Sequence, residues 1–231
     1  MGGFAWALAA FVAIHVGVSA TGLRARLVQA IGEWPYRAVF SLVSLGLLIW
    51  LIQGYGAVRA DPFDQLNEPM WLPPSWLRWP AIALGLFGIA LAVTGILTRG
   101  PTSMGAEKSG LARSEPAHGV LRITRHPFLW GVAFWGVAHL MTNGERVAVM
   151  LFGALAAMVI FGARSIDRKG ASRDPEGWAR FAAVSSNAPF AAIVQGRNRL
   201  VLSEIGWRGL VGIAAAFAIA WGHGQIGPDV F

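Results

Sequence analysis

Two histidines stand inside sequence that is otherwise apolar and helix-forming. His15 is flanked by Val12, Ala13, Ile14, Val16 and Gly17, and His139 by Trp135, Gly136, Val137, Ala138 and Leu140. An imidazole in such a segment is costly to bury unless a hydrogen bond or a metal satisfies it. A backbone carbonyl or hydroxyl suffices for a lone histidine, whereas two on separate segments at similar depth also suit the two axial positions of one metal. A third, His126, lies in Thr124-Arg125-His126-Pro127. Proline at the first helical position, with the residue before it kept out of the α region, marks a helix start there. That leaves His126 open to capping the helix, to meeting a lipid head group, or to contacting a cofactor.

The chain has no cysteine, which excludes disulfides, thiolate-bound zinc, iron–sulfur clusters and thiol nucleophiles together. Its 12 acidic residues fall in loops or at the ends of apolar runs. A carboxylate di-iron site or a classical proton or cation path is therefore disfavoured. No serine sits in a nucleophile elbow and no histidine has an acidic neighbour to orient it, so a hydrolase is not expected. Haem b suits the residues that remain, because two imidazoles suffice to hold it and its macrocycle is apolar enough to lie between helices.

Depth selects the pair. A helix entering at Phe4 puts His15 about 17 Å below the outer boundary, and one starting at Pro127 puts His139 about 12 Å below it. The offset of about 5 Å makes His15 and His139 the expected iron ligands; His126 matches His15 worse, by about 13 Å. Phe128, Gly131, Trp135 and Gly136 share or border the His139 face, where glycines would admit a flat ligand and Trp135 would line it. Small-residue helix packing is the competing account of those glycines. Leu8, Phe11, Ser19 and Gly22 share the face of His15. Arg24, Arg37, Arg122 and Arg125 are available to haem propionates, although membrane topology alone also explains them. The expected cofactor contacts are thus His15, His139, His126, Arg125, Trp135 and Gly131.

The elements that must position these residues are membrane helices. Hydrophobic residues make up 55% of the 231, charged ones 13%, and the mean hydropathy is +0.53, against about 25% charged in ordinary globular domains. Apolar runs of spanning length fall at about 4–22, 37–58, 77–98, 127–144, 146–164 and 207–226. Thr142-Asn143-Gly144-Glu145 makes the fourth and fifth an antiparallel hairpin. The result is an all-α polytopic bundle in a single domain, 1–231. The amino terminus lacks a positive n-region, and despite a faint cleavage-like Val18-Ser19-Ala20 it reads as a retained first span.

Every lysine and arginine except Arg59, Arg78 and Arg146 falls in a loop after span one, three or five. By the positive-inside rule those loops are cytoplasmic and both termini are on the outer, periplasmic side. The net charge of +7 is thus explained by orientation, and no nucleic-acid partner is expected. Residues 59–76, rich in proline and tryptophan, are expected to form an aromatic cap at the outer interface. The cytoplasmic loop 165–206 mixes apolar and basic residues, and either lies on the inner membrane surface or is solvated.

The chain resembles the NnrU family in His15 with Gly22-Leu23-Arg24, in Trp34-Pro35-Tyr36-Arg37-Ala38-Val39-Phe40, and in Thr124 to Gly131. Trp135-Gly136-Val137-Ala138-His139-Leu140, Asn143-Gly144, Pro189-Phe190-Ala191-Ala192 and Gly196-Arg197-Asn198 extend the likeness over essentially the whole length. The resemblance implies a bacterial inner-membrane protein linked to denitrification and nitric oxide metabolism. The related 15-cis-zeta-carotene isomerases, which this chain resembles in the same places, imply redox-dependent cis–trans isomerisation of a polyene on haem b. Their proposed axial histidines correspond to His15 and His139. Their cysteine ligand has no counterpart here, where Gly136 stands nearby. A non-enzymatic assembly factor for nitrogen-oxide reductases is the alternative the family name implies. Arg125-His126-Pro127 also resembles the motif of S-adenosylmethionine-dependent membrane methyltransferases, but Leu129 replaces their tyrosine and no Glu-Glu pair follows.

Overall fold

The computed structural model describes residues 2–18, 21–103, 111 and 114–224, and among these it is helical without a strand. α1 (Gly2–Ala13) runs into a π-helical turn, Ile14–Val18. α2 (Leu23–Ile31) then leaves at 80° to that segment. Gly32, at φ 85°, reverses the chain into α3 (Glu33–Ala60), a conformation that glycine adopts without steric penalty. α4 (Arg78–Leu97) stops short of Gly100-Pro101. α5 (Pro127–Thr142) begins on its proline, as the sequence predicts. α6 (Arg146–Arg173) returns antiparallel to α5. Asp174 ends it and, by accepting the Gly177 amide at 2.9 Å, starts α7 (Pro175–Ala183). The short α8 (Ala191–Val194) precedes α9 (Leu202–His223), which is broken at Gly206, φ 49°, so that its long apolar part begins at Trp207.

Small residues set the packing. A methyl group on Gly131 would come within 2.6 Å of Ala92 Cβ, and one on Gly95 within 2.8 Å of Pro127 Cγ, so α4 and α5 cross at backbone distance. Gly212 seats α9 on Ala90 of α4, and Gly136 seats α5 against the Phe152 carbonyl of α6. α1 lies in the groove between α3 and α6, where Phe4, Ala7, Leu8 and Phe11 join Leu51, Val58 and Val147 in a buried cluster. Leu42, Leu45, Ile49 and Ile52 on α3, and Leu210, Ile213, Phe217 and Trp221 on α9, are exposed. Outward apolar faces of this length are what a bilayer covers.

Among the described residues, four helices are long and apolar enough to cross a membrane: Glu33–Ala60, Ser75–Leu97, Arg146–Arg173 and Leu202–His223. α5, at 16 residues, is shorter than the roughly 20 that a perpendicular span needs, and α1 with its π turn meets the criterion only when joined to the bent α2. The count of six spans and the outward termini remain part of the proposal below.

The segment 165–206 is partly helical and is not one irregular loop. α6 continues to Arg173, and the segment after it folds across the start of α5 as a cap. Trp178 and Phe181 are buried with Leu111 and Ala117. The Arg125 amide donates to the Ser186 carbonyl at 2.8 Å, the Phe190 amide to the Ile123 carbonyl at 2.7 Å, and Thr124 Oγ1 to the Asn187 carbonyl at 2.6 Å. Backbone polar groups in a buried crossing need such partners, and these supply them. At the opposite end, residues 59–76 pack on the α5–α6 turn through Met70 N to Gly144 O at 2.7 Å, leaving Phe63, Leu72 and Trp76 exposed.

Candidate functional site

His139 lies in the half of α5 away from the basic end. Its Nδ1–H donates to the Trp135 carbonyl one turn earlier, at 2.9 Å, which leaves Nε2 as the lone-pair nitrogen of the neutral ring. Phe152 of α6 stacks on the ring at 4.3 Å between centroids, Trp135 lies at 4.6 Å, and the ring of His223 from α9 is 6.1 Å away. Three helices therefore enclose one imidazole with aromatic faces and a second imidazole.

His15 repeats the local chemistry elsewhere. Its Nδ1–H donates to the Phe11 carbonyl at 2.7 Å, and its ring lies 4.2 Å from Phe11 and 5.5 Å from Phe40. It sits in the π-helical turn, a rare geometry that recurs at functional sites. Of its expected face-mates, Phe11 meets it and Leu8 joins the buried cluster, while Gly22 caps α2 and Ser19 falls outside the described residues.

The structure does not bring His15 and His139 together. His15 is level with Phe40 of α3, whereas His139 is level with Phe152, which meets Tyr55 of α3 edge-on at 6.1 Å. Fifteen residues of α3 separate those levels, about 22 Å along its axis. Two nitrogens on one iron stand only about 4 Å apart, twice a metal–imidazole bond. A match in depth between His15 and His139 requires Phe4 to mark the membrane boundary. Phe4 instead packs on Gly54, below the end of α3, and α1 carries His15 correspondingly deeper.

Arg125 and His126 form a different assembly at the basic end. His126, 3% exposed, shares a 2.7 Å contact from Nε2 with Asp167 Oδ1, while Arg125 NH2 donates to Asp167 Oδ2 at 3.0 Å. Trp130 Nε1 donates to Asn187 at 3.0 Å, and Arg125 lies over the Trp178 ring. Next to it, buried Arg122 donates to both carboxylate oxygens of Glu204, at 2.8 and 2.7 Å, to Asn198 at 2.7 Å and to Glu115. The Glu204 carboxyl, before the break in α9, is held down at about 2, chiefly by its hydrogen bond with Arg122.

The expectation that no histidine has an acidic partner is thus wrong, and Asp167 is the residue that sequence reasoning missed. The apolar run ends near Arg164 but α6 continues to Arg173, so apolarity alone places Asp167 in a loop. The signal that could have found it is that no proline interrupts 146–173 ahead of Asp174-Pro175. The couple stops short of a catalytic triad, since Ser185 Oγ donates to Phe181 O and Ser186 Oγ to Ala188 O. His126 therefore ties the helix start down through its ring.

The remaining expected contacts sort in the same way. Trp135 lies beside His139, with ring centres 4.6 Å apart. Gly131 faces α4, so the packing account is the one that applies. Arg24 and Arg37 share Glu33 at 2.7 Å each. Among the described residues no three of His, Asp and Glu gather as a metal site. Two imidazoles, those of His139 and His223, do lie near one another, with ring centres 6.1 Å apart, and these are the residues that would hold such a group. It does not fit at His15 with His139.

Long apolar helices with bare outward faces and a polar cap at one end define a multi-pass membrane protein. Residues 3–229 match the family described as "NnrU protein", and the chain belongs to that family. It is similar to the 15-cis-zeta-carotene isomerase, chloroplastic, of Zea mays, at 30% identity over 190 residues, 82% of this chain and 50% of the relative. The enzyme of the same description from Arabidopsis thaliana is also 30% identical, over 191 residues with the same coverage. The chain spans about half the length of these curated relatives. No solved structure matches it.

Proposed function

We propose that this protein is a membrane-embedded cis–trans isomerase acting on an apolar, conjugated polyene, with haem b held by His139 and His223. The observation that carries the reading is the state of His139: Nδ1 is committed to the Trp135 carbonyl, so Nε2 is available as a ligand inside an aromatic enclosure. Fixing one ring nitrogen by a backbone carbonyl orients the other and makes it a better donor. When bound, ferrous haem would supply an electron-rich centre that lowers the rotation barrier of a conjugated double bond. Trp135 and Phe152 exclude water and offer flat apolar faces to a planar chain. Entry from the bilayer suits such a substrate, and the similarity to zeta-carotene isomerases supports its chemical class. Six membrane-oriented helices, with the basic end cytoplasmic and both termini outside, complete the proposal; the bacterial inner membrane is the compartment that the family resemblance implies.

The test is conversion. Purified protein reconstituted with haem in liposomes is given 15-cis-zeta-carotene under reducing conditions, and the isomers are resolved by chromatography. Wild type is expected to deplete the 15-cis isomer, and His139→Ala to leave it unchanged. Haem-loaded wild type that converts nothing overturns the isomerase reading and favours an accessory role beside nitrogen-oxide reductases.

A further inference from the structure

The cap over the start of α5 reaches along the spans, not only across their ends. Phe190 stacks on Phe87 of α4 at 6.3 Å between ring centres, and both rings are 37% exposed. Phe87 precedes Leu97, the last residue of α4, by ten positions, which puts it about 15 Å inside that end of the span. Its side chain leans further towards the helix N-terminus, so the Phe190 ring lies at least about 9 Å inside the same end. Trp130, in the first turn of α5, donates to Asn187 of the same segment at 3.0 Å. Residues 187–190 therefore run beside membrane-crossing helices.

The backbone of this segment is suited to lipid. Non-helical chain in contact with hydrocarbon must satisfy its polar groups within the protein. Phe190 N donates to Ile123 O at 2.7 Å, Ala192 N to Ser186 Oγ at 2.9 Å, Val194 N to Phe190 O at 2.9 Å and Gln195 N to Ala191 O at 3.0 Å. Arg197 N and Asn198 N both donate to Ala192 O, and every amide from Phe190 to Asn198 has an acceptor inside the fold. Phe190 holds φ at 64°, the one positive φ among the described non-glycine residues. A bulky residue is kept in that conformation only where its surroundings require it, and here the residue begins α8 with its ring on α4.

We propose that residues 187–194 are a re-entrant edge of the cap, inserted among the acyl chains of the leaflet at the basic end. Continuity names the occupant: through Phe87 the edge joins the outward apolar face of α4, which lipid covers. Val194, 85% exposed, extends that apolar surface, and exposed Arg197 and Arg199 follow it at the level of the head groups. Insertion also accounts for the shortness of α5, whose 16 residues supply about 24 Å of an apolar layer of roughly 30 Å. The edge of the cap occupies the remainder.

The chain has no cysteine, so a single introduced cysteine carries a spin label at one place. The full chain in phosphatidylcholine nanodiscs is labelled at Val194→Cys, at Leu45→Cys on the exposed face of α3, or at Arg180→Cys on the exposed side of α7. Power-saturation electron paramagnetic resonance then compares collisions with oxygen, which dissolves in acyl chains, and with a polar nickel chelate, which stays in water. Nickel collisions at Val194 should fall about tenfold below those at Arg180 and approach those at Leu45. A label at Phe190→Cys should read as lipid-exposed too, and the Val194 label, which leaves the Phe190 ring in place, covers disturbance of the cap by that variant. Nickel collisions as frequent at Val194 as at Arg180 would make the cap a solvated lid and overturn the insertion.

Discussion

The two ends of α5 carry histidines that the fold treats in opposite ways. His126 precedes the first turn, and its ring is bound to Asp167, which also takes Arg125, beneath a cap whose backbone is laced to the same segment. His139 lies near the last turn, bonded only to its own helix and surrounded by rings. The first spends a ring nitrogen on a carboxylate of another helix; the second holds one nitrogen in reserve. Histidine in a membrane protein is thus no signal of function by itself, and the difference lies in whether the ring's polar atoms are spent on the fold.

The comparison separates stability from activity, and substitutions can press on each side. Asp167→Ala should have the largest effect on stability, because it leaves buried His126 and Arg125 without their carboxylate. Breaking a buried pair from one side costs about 3–5 kcal/mol, read as a lower melting temperature in detergent. Gly131→Val should come next, at about 1–3 kcal/mol, since its side chain meets Ala92 at the α4–α5 crossing. That variant links the two regions: if α5 is one rigid strut, thermal stability and polyene conversion fall together.

A pH series sharpens the scaffold side. Glu204 is depressed to about 2 in the fold, against an ordinary value near 4.3. A depressed carboxyl stabilises the fold fully above its unfolded value and loses that contribution as pH falls through its folded value. The Glu204 share of stability should therefore stay constant from neutral pH to about 5 and decline from there towards 2, and Glu204→Gln should flatten that part of the curve. His139→Gln is expected to change stability least, by about 1 kcal/mol for one helix-internal hydrogen bond, yet to abolish conversion. A destabilisation as large as that of Asp167→Ala would make His139 a structural residue too.

Much of this architecture was legible in the sequence. Apolar runs gave the long helices, Asn143-Gly144 marked the hairpin, and Pro127 began α5 where expected. Gly144 also meets Trp71 so closely that a side chain there would strike its carbonyl. The cap was not legible, because α7 and α8 are too short for periodicity to stand out and their partners, such as Ile123 for Phe190, are distant in sequence. Vertical register was not legible either. Counting residues gives the rise along each helix but not how far one helix slides past its neighbour, and that offset replaced His15 by His223 as the second imidazole near His139.

The most direct test of that offset is the visible spectrum of the haem-loaded, detergent-solubilised protein, oxidised and dithionite-reduced. With His139 and His223 holding the iron, wild type should show a sharp Soret band that shifts on reduction. His139→Ala should lose it, His223→Ala should convert it to a high-spin form, and His15→Ala should leave it as in wild type. Loss of the band in His15→Ala to the extent seen in His139→Ala would contradict the separation of the two histidines, and colourless wild type after expression with ample haem would contradict the haem assignment itself.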